Sequence, residues 1–326
     1  MRRILLTAAV ATTVALTLTA CGTTEPAADD NAKKSGERIT LTDANGAKVE
    51  LDGPAKKVVA TEWNVVENLI SLGVEPAGVA DVKGYKTWGT AVPLKNEPKD
   101  IGTRGEPSMD TVASLKPDLV VVTNDLPPAA VKQLRKVAPV LELRAADASD
   151  QIGRMNTNLD LIAKATGTTE QAEKVKKQFD AKVVEGKKAL ADADLDGAKF
   201  AFADGYVVSK QVSIRPFTSG SLIGAVNEKI GLKNAWTVKG DKNYGLGTTD
   251  VEGLTKLGDV RFAYIGNDGD KNSTPFTGVL AKDSVWKSLP FVKKDNVHRL
   301  PDGIWMFGGP ESMGKYIDSV VEALTK

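Results

Sequence analysis

The chain is poor in the residues that hold metals and drive nucleophilic catalysis: its 326 residues include one His and one Cys. A bare transition-metal site built from His or Cys clusters needs more ligands than that. No nucleophile elbow G-x-S-x-G, no Walker A and no G-x-G-x-x-G occurs. Ser-His-Asp catalysis would have to use His298, which reads better as a surface residue on a short terminal strand. A basic excess is missing too. Lys plus Arg number 43 against 42 acids, and without Arg2 and Arg3 the balance is −1. That argues against nucleic acid as a partner, because nothing neutralises phosphates. The length suggests about two domains, either of which could bury a core.

What is present begins with an address. Met1-Arg2-Arg3 is a charged n-region, and Ile4 to Ala20 is apolar but short for a membrane span. Leu18-Thr19-Ala20-Cys21 matches the lipobox of bacterial lipoproteins. That resemblance implies acylation of Cys21, with two acyl chains giving firm anchoring. Gly22 to Gly36 has no large apolar residue and reads as a disordered tether, with a reach of roughly 20 Å if flexible. The expected location is the extracytoplasmic side of a cell membrane.

The longest regular pattern is Thr168 to Asp192. Ala172, Val175, Phe179, Val183 and Leu190 share one stripe, and Lys, Glu and Asp fill the other faces. Thr168 and Gln171 have capping-box spacing. The predicted helix is about 38 Å long. It is either a strut between two lobes or a surface helix of one large domain, and the pattern supports the strut.

Strands alternate with short helices on both sides of it, so each side reads as α/β. Before it come a hairpin about Asn45-Gly46, strands at Lys57–Thr61, Ala77–Ala80, Asp100–Thr103, Asp118–Thr123 and Val140–Leu143, and helices at Asn64–Leu72, Ser108–Lys116, Pro127–Val137 and Asp150–Ala165. After it come strands at Lys199–Tyr206, Val260–Ile265 and Val297–Leu300, and helices at Ser221–Ile230, Asp250–Leu257, Ser284–Leu289 and Glu311–Thr325. The run Asp110 to Val122 resembles Glu252 to Tyr264 as helix, turn, strand. Each lobe thus repeats one unit with an acid near its helix start, which the helix dipole alone would favour.

Aromatic residues and Arg gather in predicted loops. Trp63 follows the first strand of the sheet, Tyr85 and Trp88 lie in a Gly/Thr loop, and Arg104 follows Asp100–Thr103. Tyr206, Arg215 and Phe217 follow the first strand of the second lobe. Trp236 and Tyr244 sit in a Gly/Asn-rich loop, and Trp305 and Phe307 in Gly-Ile-Trp-Met-Phe-Gly-Gly. Ligands bind at the carboxyl ends of strands in α/β sheets. Aromatic walls with a few fixed polar groups suit a small-molecule cleft, and Arg offers a planar fork to paired anionic oxygens. Core packing is the competing reading for each aromatic residue, and a surface ion pair for each Arg.

Four stretches carry a family resemblance. They are Trp63 to Pro76; Gly102-Thr-Arg104-Gly-Glu106-Pro107-Ser-Met-Asp110 followed by Leu115-Lys-Pro-Asp118; Ser221 to Trp236; and Trp286 to Phe291. In this order they resemble the substrate-binding lipoproteins of ABC importers for iron–siderophore complexes, especially the ferric-hydroxamate binders. The resemblance covers the chain from about Arg38.

It implies two Rossmann-like α/β lobes joined by one long interdomain helix, with a shallow cleft between them. The expected organisation is signal peptide 1–20, tether 21–37, first lobe 38–167, bridging helix 168–193 and second lobe 194–326. The resemblance places Arg104 on hydroxamate oxygens and Trp236 and Trp305 in the cleft, with Arg215 less firmly aligned. Asp110 and Glu252 would dock onto arginines of a membrane permease dimer, although Asp110 stands where the family usually has Glu. Neither enzyme activity nor a cofactor is expected, since the chelator holds the iron, and the chain is expected to be a monomer. A few Arg among many aromatics suit a neutral hydroxamate complex better than a trianionic catecholate. Cobalamin or haem binding, or an extracytoplasmic hydrolase using carboxylates, are the alternatives.

Overall fold

The computed structural model describes residues 38–326. The expected signal peptide, Cys21 and the tether lie outside the described residues. Among those residues, no helix is long and apolar enough to cross a membrane.

Asn45-Gly46 turns the chain between β1 (Ile39–Thr42) and β2 (Lys48–Leu51), which pair antiparallel. Gly46 takes φ +81°, which a tight turn demands and Gly supplies without strain. Next come β3 (Val58–Ala60), α1 (Trp63–Ser71), β4 (Gly78–Val79), α2 (Val82–Trp88), β5 (Lys99–Asp100), α3 (Met109–Leu115), β6 (Leu119–Thr123), α4 (Pro128–Leu134) and β7 (Val140–Leu143). These strands form a parallel sheet in the order β5-β4-β3-β6-β7. β3, β6 and β7 are buried along their whole length, as apolar runs such as Leu119-Val-Val-Val require. The strand order reverses between β3 and β6, and ligand crevices open at such switch points.

α5 (Gln151–Thr166) starts at Asp150, whose carboxylate accepts from Gly153 N–H, and ends at Gly167 with φ +71°. α6 (Thr169–Asp192) follows at once. The second sheet comprises β8 (Lys199–Val208), β9 (Gln211–Pro216), β10 (Lys233–Asn234), β11 (Arg261–Tyr264) and β12 (Val297–Arg299), with α7 (Leu222–Lys229), α8 (Ser284–Ser288) and α9 (Pro290–Lys293) between strands and α10 (Pro310–Thr325) at the end. The order β10-β8-β11-β12 is parallel, and β9 pairs antiparallel with β8. Alternation along β8 serves two cores. Phe200 and Phe202 pack with α7 and α10, whereas Ala201 and Ala203 face Phe262 and Trp286.

α6 behaves as a strut. Its 24 residues span about 36 Å. Ala172 and Val175 enter the core of the first sheet, and Phe179 and Leu190 enter that of the second. Gly186 lets α10 approach, because a Cβ there would lie 2.5 Å from Ile317 Cγ2.

Some local expectations are corrected. The capping box at Thr168 does not form, since Thr168 Oγ1 pairs with Thr166 Oγ1 and Gln171 Nε2 donates to Ser71 O at the end of α1. The tight α5–α6 joint causes this, with Thr168 N–H committed to Ala163 O. Tyr85 and Trp88 belong to α2 rather than to a loop, with Asp81 as its cap. The helix expected at Asp250–Leu257 is a short 3-10 turn, Glu252–Lys256. β9 and β10 have no counterpart among the expected strands.

Candidate functional site

The loop leaving β3 supplies the first wall. Glu62 caps α1 from the switch point, and Trp63 follows with its Nε1 donating to Ala80 O at 3.2 Å. Arg104 arrives from the turn after β5, where Gly102 holds φ +98° and bridges to Pro107. Its Nη1 donates to Glu62 Oε2 at 3.2 Å, and its guanidinium lies 4.1 Å above the Trp63 ring. Trp305, from the loop before α10, meets Trp63 edge-on at 4.7 Å. Arg104 is thus held by a carboxylate and an aromatic face together.

The second lobe repeats the arrangement with different parts. Asp204 on β8 and Arg215 on β9 are cross-strand partners. Arg215 Nε donates to Asp204 Oδ1 at 2.9 Å, and its Nη2 to Oδ2, a bidentate pair. Phe307 lies 5.4 Å from the guanidinium and Tyr206 5.9 Å. Tyr244 packs on Phe307 at 5.5 Å, and its hydroxyl donates to Asp125, which follows β6 in the first lobe.

These groups enclose a cavity of about 380 Å³, lined by Glu62, Arg104, Asp125, Tyr206, Arg215, Tyr244, Trp305 and Phe307 among others. The volume falls within the roughly 300–1,000 Å³ of small-molecule sites. Burial raises the pKa of Glu62 against the opposing pull of Arg104, and that of Asp204 against Arg215. Burial would lower Arg215, but Asp204 outweighs it and the net direction is up. Burial pushes the Tyr206 hydroxyl up to about 12, so it stays a neutral donor at physiological pH. The cavity's two arginines are therefore matched by Glu62 and Asp125, with Asp204 behind Arg215 as a further negative charge.

Not every expected residue gathers here. Arg104, Arg215, Tyr206, Tyr244 and Trp305 line the cavity, while Trp63 and Phe217 are buried directly behind the guanidinium groups. Three residues are elsewhere. Tyr85 is 1% exposed, its hydroxyl donating to Val92 O within the first core. Trp88 packs at the edge of that core. Trp236 turns its ring onto Phe262 in the core on the Ala201/Ala203 face, with its Nε1 donating to Phe202 O at 2.9 Å. Asp110 and Glu252 are exposed in the first turns of α3 and the 3-10 segment. His298 is half-buried on β12, its pKa lowered by burial and Arg261, and does not line the cavity.

Glu62, Asp125 and Asp204 were not singled out from the sequence. Glu62 had a visible signal, the position just after a buried strand. Asp204 and Tyr206 also share one face of β8 by two-residue alternation. What hid the Asp204–Arg215 pair was the turn: Ser209 and Lys210 both take positive φ, +50° and +68°, with none of the Gly or Asn that normally announces such a hairpin.

A family model described as periplasmic binding protein matches residues 58–303. The iron(3+)-hydroxamate-binding protein FhuD of Escherichia coli is 24% identical, over 80% of this chain and 84% of its own. YfiY of Bacillus subtilis, named a probable siderophore-binding lipoprotein, is 25% identical over 94% and 93%. Among solved structures, Vibrio cholerae FhuD with bound Fe3+-Desferal superposes with TM-score 0.72 at 22% identity, covering 83% of this chain and 98% of that one. Bacillus subtilis FeuA with ferri-bacillibactin gives 0.70 at 19%, covering 88% and 98%. The chain shares its α/β fold with these neighbours, and it belongs to the periplasmic binding protein family.

Proposed function

We propose that this chain is the lipid-anchored, extracytoplasmic binding component of an ABC importer, and that it captures a ferric siderophore of the hydroxamate type. The observation that carries the reading is the pair of carboxylate-backed guanidinium groups, Arg104 on Glu62 and Arg215 on Asp204, facing one aromatic-walled cavity. Guanidinium forks suit the paired oxygens of a chelated metal. The names of FhuD from Escherichia coli and Bacillus subtilis, iron(3+)-hydroxamate-binding proteins, agree with this class.

Charge narrows the ligand. Three monoanionic hydroxamates cancel the charge of iron(III), whereas three dianionic catecholates leave a triple negative charge. With both arginines matched by acids, the cavity offers little net attraction to a trianion. A neutral complex avoids that mismatch. The protein supplies no ligand to the iron and breaks no bond. The acids nearest the cavity are engaged by Arg104, Arg215 or Tyr244, which favours holding over catalysis.

In this reading the lobes divide at residues 167 and 194, with the strut between them. Delivery to the permease uses Asp110 and Glu252, each exposed at the start of the segment before an equivalent strand, β6 or β11. The anchor would be Cys21, and a monomer suffices for the site. Tryptophan fluorescence tests the ligand. Trp63 and Trp305 adjoin the cavity, so ferric tris-hydroxamates should quench emission at sub-micromolar concentration. Absence of quenching by every ferric hydroxamate refutes the reading, and tighter quenching by haem or cobalamin would replace it.

A further inference from the structure

Behind the ligand cavity lies a second, much smaller one of about 20 Å³, sharing Asn64, Tyr244 and Phe307 with it. That volume holds roughly one water-sized group. Asn64, Asn68 and Asn158 line it, and the side-chain oxygen of each is buried without a hydrogen-bond partner. Asn68 and Asn158 are each 3% exposed. Asn64 and Asn68 are one turn apart on α1, and Asn158 faces them from α5, its own amide N–H₂ committed to Arg144 O. A buried acceptor left alone costs about 1–3 kcal/mol. Three such acceptors around one small space suit a compact group with several hydrogen-bond donors.

We propose that this annex is a subsite for an ammonium group, the terminal amine of an arm on the ferric ligand. A primary ammonium has three donors and no acceptor, matching three orphaned oxygens. The Tyr244 and Phe307 side chains forming the shared wall add aromatic faces that attract a cation. The neighbouring charge fits as well. Glu67 Oε2 lies where a Cβ on Gly308 would approach to 2.1 Å, and Gly308 lines the annex. Glu67 is fully buried and accepts from Gly309 N–H and Ser312 Oγ, so a cation next door would favour its ionised form. The subsite rests on the reading of the main cavity as a ferric-hydroxamate site, and it restricts that class to ligands with a cationic arm.

The test compares three linear ferric tris-hydroxamates that differ only at the arm terminus: free amine, acetylated amine, and succinylated amine. The wild-type chain should bind the free amine about tenfold more tightly than the acetylated form and bind the succinylated form weakest. Asn68→Leu should erase the preference while leaving affinity for the acetylated form unchanged, and Asn64→Leu, at a residue that also lines the ligand cavity, should erase the preference. Equal affinity for all three complexes overturns the subsite and leaves the hydroxamate reading standing. Failure of all three to bind overturns both. Preference for the succinylated arm shows that amide N–H groups face the annex and also overturns it. Ligand-free thermal unfolding in sodium, potassium and ammonium chloride at equal ionic strength separates the remaining source. A cation-specific shift without any amine preference assigns the oxygens to a free inorganic cation and refutes the arm.

Discussion

Replacing Glu62 by Gln should change which ferric complexes the cleft accepts while barely changing the fold. The carboxylate lines the cavity and holds Arg104 at 3.2 Å, with side-chain exposures of 21% and 35%. An ion pair this accessible contributes about 0–1 kcal/mol, so the Tm should move by a few degrees at most. Charge at the cavity wall rises by one unit. For a trianionic ferric catecholate centred about 8 Å away in a water-like dielectric, that is worth about 1.5 kcal/mol, or about tenfold in Kd. A neutral ferric tris-hydroxamate gains nothing from it. The assay is fluorescence titration of wild type and Glu62→Gln with one ligand of each class, at low ionic strength. It should run at pH 8, because burial raises the Glu62 pKa and a basic buffer favours its carboxylate. The catecholate-to-hydroxamate affinity ratio should rise about tenfold. At physiological salt, where the Debye length is about 8 Å, the change should shrink to about threefold. A ratio unmoved at low salt would refute the claim that matched charge selects a neutral ligand.

Other consequences can be checked independently. Glu67 is pushed up to about 8 by burial, against hydrogen bonds from Gly309 N–H and Ser312 Oγ. Its folded-state pKa lies above the unfolded value, so the stability it contributes is full below about pH 4.5 and is lost as pH rises through 8. The ligand-free Tm should therefore decline between pH 5 and 8, and Glu67→Gln should flatten that decline; a parallel decline in the variant contradicts this. Gly186→Ala should lower the Tm by a few degrees despite better helix propensity, because its Cβ meets Ile317 at 2.5 Å. Val184→Ala on the exposed face, at 68% exposure, should change nothing, and equal effects of the two would argue against close α6–α10 contact. The double variant Asp110→Ala and Glu252→Ala should keep ligand affinity and abolish uptake in cells; loss of binding in it would remove the docking role.

The strut was legible because the stripe from Ala172 to Leu190 is periodic over about five turns, a signal that tertiary packing rarely overrides. The parallel sheets were equally plain in Val58-Val-Ala and Leu119-Val-Val-Val, where burial on both faces leaves no polar alternation. Direction of a side chain was less legible. Trp236 and Trp305 look alike in sequence, both in glycine-bearing loops, yet one seals the Phe262 core and the other walls the cavity. Register across the β8–β9 hairpin decides that Arg215 meets Asp204, and the Ser209-Lys210 turn that sets it carries no compositional mark. The acids of the cavity were hidden for a related reason. Glu62 and Asp125 lie 63 positions apart and come together only because β3 and β6 are neighbours in the sheet. The annex depends on α1, α5 and the Phe307-Gly308 loop converging, which no local pattern encodes.

The central claim is that the two carboxylate-backed arginines hold the ferric complex. Anomalous diffraction at the iron edge from crystals grown with a ferric tris-hydroxamate tests it most directly. The account predicts one iron peak in the cavity between Arg104 and Arg215, with siderophore oxygens within hydrogen-bond distance of both guanidinium groups. An iron peak elsewhere on the molecule, or an occupied cavity in which neither arginine touches the ligand, would contradict it.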